Sequence, residues 1–446
     1  MDLASLIPSF GNLALTILAF LLALIPIVFV HEFGHYIVGR WSGIRADVFS
    51  IGAGPVLVSR HDKRGTRWQI AAFPVGGYVK FHGDANAASG SADEGAMAEM
   101  SAAERRQTLH GAPLWARAAT VAAGPITNFI FSAIIFSAIA LYAGVASEPL
   151  TVAALKPVAG VAGTLAPGDE ILKINGKPLA TLDDFGALID ALPNESPLDW
   201  TVRRDGAEIT VAAPHPSLAM ISGVMPQSAA ADAGLAQDDL IETVDGAPIS
   251  TFADLQRLVE AGAGAPLSLG INRAGEALTV TLTPQSKDLP LPDGGYETRF
   301  LIGIQGGLFF APTTENPGLW ASARGGVATV RYIVEASLSG IWHMATGAIS
   351  SCNLRGMITI AETSGDAAAQ GSQSFLWFVA VLSTAVGLLN LFPIPVLDGG
   401  HLMFHAWEAL TGRAPSDKAL NLLTMIGLAL VLGIMVLGLA NDIFCP

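Results

Sequence analysis

His31-Glu32-Phe33-Gly34-His35 stands at the carboxyl end of an apolar run that extends from Leu13 to Val30. Two histidines four residues apart lie on one face of a helix, so both imidazoles can reach one metal ion. The glutamate between them is placed to act as a base toward water at that metal. Ionisable side chains at bilayer depth are costly, which favours a functional site. The alternative is a pair of solvated or core histidines that follow a signal-anchor helix.

The composition is that of a membrane protein with soluble insertions. Of the 446 residues, 51% are apolar and only 14% are charged, whereas about a quarter of the residues in a soluble domain are charged. The net charge of −14 argues against a nucleic-acid partner, because phosphate binding needs clustered Lys and Arg. The two cysteines, Cys352 and Cys445, are too few for a zinc cluster, and the sequence leaves open whether they form a disulfide.

Four segments are long and apolar enough to cross a bilayer, which requires about 20 residues. We place these transmembrane helices at about 13–39, 114–142, 375–404 and 419–439. Lys and Arg are concentrated in the loop 40–113, which predicts that this loop is cytoplasmic and that both termini lie outside. The N-terminal membrane part is thus 1–146. The predicted fold class is a polytopic α-helical membrane protein with a membrane-associated β-hairpin and two inserted α+β domains.

The β-hairpin is predicted within the cytoplasmic loop. Val56–Val58 leads to a turn at Asp62–Gly65, and the chain returns from Trp68 to Phe81. Much of this segment is too apolar for a freely solvated loop. We therefore expect it to lie against the membrane part and to offer a strand edge.

A repeat organises the acidic region 147–310. The stretch Pro167–Pro178, PGDEILKINGKP, recurs at Gln237–Pro248 as QDDLIETVDGAP. Each copy continues with a helix-like stretch, a strand, a turn and a strand, which predicts two α+β domains at 147–222 and 223–310. They resemble PDZ domains, which bind an extended peptide by strand addition. The first domain is abbreviated in the stretch that precedes its copy of the repeat. A role of both domains as spacers or size filters is equally consistent with the sequence.

A connector with an amphipathic helix is predicted at 311–373, and a C-terminal membrane part at 374–446. The third span is interrupted within Asn390–His401 by two prolines and two glycines. Such backbone is tolerated at bilayer depth where it lines a cavity. Asn390 is a candidate donor to a substrate carbonyl, and a bond to the freed backbone near Pro393 is the alternative.

Asp398 is the obvious carboxylate of this interrupted span. Without a partner its charge would cost several kcal/mol in the membrane, and a divalent cation removes that objection. His31, His35 and Asp398 would supply the three protein ligands of a catalytic zinc. Glu32 would then act as the general base.

HEFGH in the first span, Gly-Pro-x-x-Asn in the second and Asn-x-x-Pro-x-Pro-x-Leu-Asp-Gly in the third together resemble the site-2 protease family. With the tandem domains, the chain is similar to the bacterial regulator-of-sigma-E protease branch. The resemblance implies one Zn²⁺ and regulated intramembrane proteolysis. The implied substrates are single-span membrane proteins, either anti-sigma factors or remnant signal peptides, cut after a first periplasmic cleavage.

The resemblance also implies a location and partners. It places the chain in the bacterial inner membrane, with the PDZ domains periplasmic and the active site toward the cytoplasmic side. The lipid bilayer surrounds the helices, and trimmed substrate ends or peptides are candidate partners of the PDZ domains. The hairpin would present the substrate as an added strand, which makes Gly76, Gly77 and Tyr78 candidate substrate-binding residues. Asn128, in the second span, is another candidate, and a packing hydrogen bond is its alternative role.

Two other functions are alternatives. A membrane metal carrier or sensor would need His31, His35 and Asp398 but not Glu32. A catalytically inactive PDZ scaffold would need no metal site.

Overall fold

The computed structural model describes residues 13–85, 93–156, 165–291 and 295–445. The chain divides into two compact units. The first takes in the chain up to Ile139 together with Leu319–Ala345 and Leu354–Cys445, and the second takes in Ala140–Gly318 and Thr346–Asn353. Among the described residues, 4 helices are long and apolar enough to cross a membrane, which confirms the predicted number.

The N-terminal part of the first unit contains two long helices with a β-hairpin between them. Its elements are α1 (Leu13–Trp41), β1 (Ala46–His61), β2 (Arg67–Phe81), α2 (Glu94–Glu99), α3 (Ala102–Arg105) and α4 (Leu114–Ala143). At about 1.5 Å per residue, α1 and α4 each exceed the roughly 30 Å of a hydrocarbon core.

The hairpin is longer than the sequence predicted, because β1 begins at Ala46 and not at Val56. Residues 46–51 pair on one side with 77–81 and on the other with 67–70. The turn is held by the Asp62 carboxylate, which accepts hydrogen bonds from the backbone N–H groups of Arg64 and Thr66. The hairpin therefore returns residues 77–81 toward α1.

One face of α1 is built for close helix packing. Thr16, Ala19, Ala23 and Ile27 recur at helical spacing and are buried, whereas the large apolar side chains on other faces, such as Leu18, are exposed. Small residues at a helix interface allow backbones to approach closely in a membrane. The exposed apolar side chains suit contact with lipid.

The second unit begins with a first module whose elements are β3 (Val145–Ala146), β4 (Val152–Leu155), β5 (Glu170–Ile174), β6 (Lys177–Pro178), α5 (Phe185–Asp190), β7 (Leu198–Arg204) and β8 (Ala207–Ala213). A second module follows with β9 (Ile221–Val224), α6 (Ala229–Asp232), β10 (Leu240–Val244), β11 (Ala247–Pro248), α7 (Phe252–Ala261), β12 (Leu267–Arg273), β13 (Glu276–Leu282), β14 (Gln285–Pro290), β15 (Tyr296–Leu301) and β16 (Ile304–Gly306). Two short strands come after it, β17 (Phe310–Pro312) and β18 (Thr314–Glu315). The abbreviated stretch before the first repeat falls on 157–164, outside the described residues.

The sequence repeat is repeated in three dimensions. The modules contain four-stranded sheets of the same order, β6-β5-β7-β8 and β11-β10-β12-β13. Arg204 donates through Nε and Nη2 to Asp169 at 2.7 and 2.6 Å. Arg273 makes the same two bonds to Asp239, both at 2.7 Å. Both aspartates have fully buried side chains, and each pair ties the start of one strand, β5 or β10, to the end of its sheet neighbour, β7 or β12.

The last strands of the second unit correct the linear domain boundaries. Strand β16 pairs with β9 of the second module, but β17 pairs with β4 and β18 with β3 of the first. Phe309 and Phe310 lie in the core of the first module, against Trp200. The first module is therefore discontinuous. It needs residues that follow the second module as well as 147–222, and these residues had been divided between the second domain and the connector.

The remaining elements are α8 (Gly318–Ala345), α9 (Met357–Ala369), α10 (Ser372–Asn390), α11 (Asp398–Thr411) and α12 (Asp417–Phe444). The third span differs from the predicted 375–404, because the long apolar helix ends at Asn390. The chain then turns irregularly until α11 starts at Asp398. Cys352 and Cys445 are both disulfide-bonded.

Candidate metal centre

Three side chains meet where α1 faces the start of α11. The Nε2 atoms of His31 and His35 are 3.2 Å apart. Oδ2 of Asp398 lies 3.1 Å from His31 Nε2 and 3.4 Å from His35 Nε2. In the part of the chain that the structure describes, this is the one cluster of three or more His, Cys, Asp or Glu side chains with ligand spacing.

These spacings fit a tetrahedral metal. Zinc bonds to imidazole nitrogen and carboxylate oxygen are about 2.0–2.2 Å long, which places tetrahedral ligand atoms roughly 3.3–3.6 Å apart. Oδ2 of Asp398 is buried and has no hydrogen-bond partner among the described residues. An unpartnered buried carboxylate is costly. Two imidazoles and one carboxylate are also the donor set of known catalytic zinc sites, so the residues fit the ion.

The local sequence explains how the three side chains converge. His31 and His35 are one turn apart on α1. Asp398 is the first residue of α11, where the helix dipole favours a carboxylate. Gly399 and Gly400 let this helix start press against the irregular segment, because a Cβ on either would collide with the backbone of residues 391–395. The turn and the glycines thus place a charged side chain at the cavity wall.

Backbone and side-chain groups of α4 orient the two imidazoles. Nδ1 of His35 lies 2.9 Å from the carbonyl oxygen of Thr120, so a proton on Nδ1 leaves Nε2 free for a metal. Nδ1 of His31 lies 3.4 Å from the Asn128 amide group. Gly124 lies between them, and a Cβ there would collide with His35 Nε2. Helix α4 therefore holds the two histidines through contacts that a larger residue at 124 would prevent.

The structure changes the expected role of Asn128. Its side chain is fully buried and faces His31, which leaves no surface for the predicted substrate contact. Its Oδ1 has no hydrogen-bond partner among the described residues. The alternative role, a polar contact to a neighbouring helix, agrees with this geometry.

Glu32 lies beside the returning strand of the hairpin. The backbone N–H of Val79 donates a hydrogen bond to the Glu32 carboxylate. A Cβ on Gly77 would lie 3.0 Å from Glu32 Cγ and 2.9 Å from Val28 Cγ1. Only glycine fits here without a shift, and it lets β2 pass directly along the glutamate. The hairpin thus positions Glu32, the predicted base. The sequence alone did not indicate this contact between the hairpin and the glutamate.

Glu32 and the three clustered side chains line a cavity of about 380 Å³. Gly77, Tyr78 and Asn390, three of the other candidates, also line it. Asn390 donates through Nδ2 to the Val386 carbonyl at 3.1 Å, so one amide N–H is used by the backbone. Gly76 has a positive φ of 86° and is outside the cavity lining.

Five further polar residues of this cavity were not selected as site residues from the sequence. They are His110, Arg117, His401, His405 and Glu408. A signal was available for three of them. Asp398, His401, His405 and Glu408 follow one another at intervals of three and four residues, which puts them on one face of α11.

The sequence matches peptidase family M50 over residues 19–434. It is 35% identical over 437 residues to a protein of Agrobacterium fabrum and 37% identical over 436 residues to one of Rhizobium meliloti, both described as zinc metalloproteases. Each alignment covers 97% of both chains. The regulator of sigma-E protease of Salmonella typhimurium is 32% identical over 455 residues, which cover 95% of this chain and 97% of that protein.

The chain therefore belongs to peptidase family M50. It is a multi-pass membrane protein and a zinc metalloprotease of the site-2 type, with Zn²⁺ as its cofactor. The expectation of a zinc enzyme drawn from HEFGH and Asp398 is confirmed at this level.

Proposed function

We propose that this metalloprotease hydrolyses peptide bonds within the transmembrane segments of single-span proteins. The observation that carries the proposal is the position of the clustered ligands. Two of them lie on α1, a helix of membrane-spanning length and composition. The substrates would be an anti-sigma factor, remnant signal peptides, or both, reached after a first periplasmic cleavage. The relative named as a regulator of sigma-E protease supports this choice.

His31, His35 and Asp398 are the proposed ligands of one zinc ion, and Glu32 and Asn390 the proposed catalytic residues. When bound, zinc activates water and polarises the scissile carbonyl. Glu32 takes the proton of the attacking water and delivers it to the leaving nitrogen. The Val79 N–H holds the glutamate at the cavity wall while it does so. The second amide N–H of Asn390 donates to the substrate oxygen as its negative charge develops.

Substrate would bind as a strand beside residues 77–81. In the described structure these residues pair with β1 on one side, and they run past Glu32. An unwound substrate segment that pairs with the other edge would bring its backbone to the cavity. Gly77 and Tyr78 are the substrate-binding residues of this proposal, and Gly76 provides the turn before them. Asn128 acts on His31 instead.

The orientation in the membrane follows from charge. The basic loop 40–113 would be cytoplasmic, with both termini and the two modules in the periplasm of a bacterial inner membrane. The active site would then open toward the cytoplasmic side. The repeated sheet order and the repeat motif support PDZ-like folds for the modules, which bind trimmed substrate ends or exclude untrimmed substrates by size.

The test is cleavage of a single-span peptide by purified protein in detergent, with zinc content measured on the same samples. We expect wild type to cut and Glu32→Gln to keep zinc but not cut. Glu335→Gln is the matched control, because Glu335 is an exposed residue of α8. It should cut like wild type.

Three results would overturn the proposal. Cleavage by Glu32→Gln at the wild-type rate would remove the proposed base. Zinc-loaded wild type that cuts no trimmed substrate, but carries zinc into proteoliposomes with or without Glu32, would favour the metal carrier. Absence of both cleavage and zinc transport would favour the catalytically inactive PDZ scaffold.

A further inference from the structure

An ion pair joins α4 to α11 at the edge of the cavity. Nη2 of Arg117 lies 2.6 Å from Glu408 Oε1, and Nη1 lies 3.0 Å from Oε2. The two side chains are only 15% and 22% exposed. A bidentate arginine–carboxylate pair fixes both distance and orientation, and partial burial protects it from screening. It is therefore a rigid link between the two helices.

Each partner belongs to a helix that holds one side of the metal centre. Arg117 is one turn before Thr120, the residue of α4 whose carbonyl oxygen faces His35 Nδ1. Glu408 is on the same face of α11 as Asp398 and at the opposite end of that helix. The ion pair thus connects the helix that orients a histidine with the helix that carries the carboxylate.

The start of α11 does not by itself fix the angle of the helix. The helix follows an irregular segment that contains Pro393 and Pro395, and it touches that segment through Gly399 and Gly400. Glycines give close contact but no side chain that resists rotation. The face of α11 opposite Asp398 carries exposed apolar residues, including Trp407 and Leu410. In the described part of the chain, the bidentate ion pair that joins α11 to another helix is the one between Glu408 and Arg117.

Small rotations of α11 would matter. An atom about 5 Å from a helix axis moves by roughly 0.9 Å when the helix turns by 10°. Metal–ligand distances are held to within about 0.2 Å. A helix that is free to turn by a few degrees would therefore carry Asp398 out of bonding distance from a metal held by His31 and His35.

We propose that Arg117 and Glu408 are positioning residues for the metal centre, which fix Asp398 relative to the two histidines by locking the angle of α11. This inference rests on the proposed ligand role of Asp398. Both residues act through the helix and neither contacts the metal. Loss of either is expected to weaken zinc binding about tenfold, at the lower end of what loss of an outer partner costs.

The experiment measures the zinc dissociation constant of the full chain in detergent by chelator competition. The variants are Arg117→Ala, Glu408→Ala, the double variant, and the exchange Arg117→Glu with Glu408→Arg. Arg331→Ala is the control, because Arg331 forms an exposed pair with Glu335 on α8. Thermal unfolding of the zinc-free proteins is measured in parallel.

We expect each single variant to raise the dissociation constant about tenfold, the double variant to add nothing further, and the exchange to restore most of the affinity. The control should bind like wild type. Additive single effects, unchanged affinity in the single variants, or an equal loss in Arg331→Ala would overturn the inference.

Two further outcomes separate this inference from the proposed function. A wild type that binds no zinc contradicts the ligand set itself and not the ion pair alone. If the single variants unfold without zinc, Arg117→Lys, which keeps the charge but not the fork, decides. Wild-type zinc affinity in that variant would show that a bidentate lock is not required.

Discussion

Asp169 is a buried carboxylate and Asp398 a half-buried one, and their surroundings are opposite. Asp169 receives two bonds from Arg204 and one from the backbone N–H of Ala166 at 2.8 Å. Asp398 faces two imidazole nitrogens, and its Oδ2 has no hydrogen-bond partner among the described residues. A charge that the protein satisfies by itself is structural. A charge that it leaves unsatisfied indicates a ligand from outside.

The electrostatics of the first module agree with this difference. Burial raises the pKa of Asp169, but the hydrogen bonds from Arg204 and Ala166 outweigh it and hold the pKa below its ordinary value. The same contact raises the pKa of Arg204. The pair therefore stays ionised in the folded module and stabilises it.

The largest expected effect is that of Asp398→Asn. Zinc affinity should fall by more than about a hundredfold, because loss of an outer partner alone costs 10–100-fold. The zinc-free protein should be as stable as wild type or more stable, since a neutral amide replaces an unsatisfied carboxylate. Chelator competition and thermal unfolding of the zinc-free protein measure the two effects.

Asp199→Asn, at an exposed position of the first module, is the control for that experiment. The comparison would break if Asp398→Asn retained wild-type zinc affinity. It would also break if the zinc-free variant lost stability, because Asp398 would then be a structural residue like Asp169.

The second effect is that of Asp169→Asn, which leaves Arg204 without its ionised partner. We expect the first module to lose about 2 kcal/mol, the order of a hydrogen bond to a charged group. Hydrogen exchange of the β5 and β7 amides measures this loss, with zinc affinity unchanged. Asp239→Asn should have the same effect on β10 and β12. A response in only one module would show that the repeated pair is not equivalent.

The smallest effect is a pH dependence of the first module. Because the folded-state pKa of Asp169 is lowered, its contribution to stability is present above the unfolded-state value of about 3.9. It is lost as the pH falls through the folded-state value. Exchange of β5 amides between about pH 5 and pH 2.5 should therefore show a steeper loss in wild type than in Asp169→Asn. Parallel curves would assign the acid sensitivity to other carboxylates.

Much of the candidate metal centre could be predicted, because ionisable side chains are costly within apolar segments. His31, His35 and Asp398 interrupt apolar segments. Pro393 and Pro395 indicate the break in the third span. The contacts that orient His35 and Glu32 could not be predicted, because they are made by backbone groups that nearly every residue type carries. The Thr120 carbonyl and the Val79 amide are backbone groups, and only packing determines which side chain they face.

Long-range partners were equally hidden. Arg117 is one of many basic residues in or near the loop 40–113, and its partner Glu408 is 291 residues away. Strands β17 and β18, with 3 and 2 residues, are too short to show an alternating pattern. The two domain boundaries drawn from the repeat could not include them for that reason.

Because Phe309 and Phe310 complete the first module, the order of synthesis differs from the order of completion. A ribosome delivers β3–β8 first, then the whole second module up to Gly306, and only afterwards the two rings that pack against Trp200. Domains usually fold in the order in which they emerge. Here the second module can close while the first still exposes apolar core to its surroundings. The part of the unit that is translated first is thus finished last, and a chain that stops before Phe309 would carry a finished module on an unfinished one.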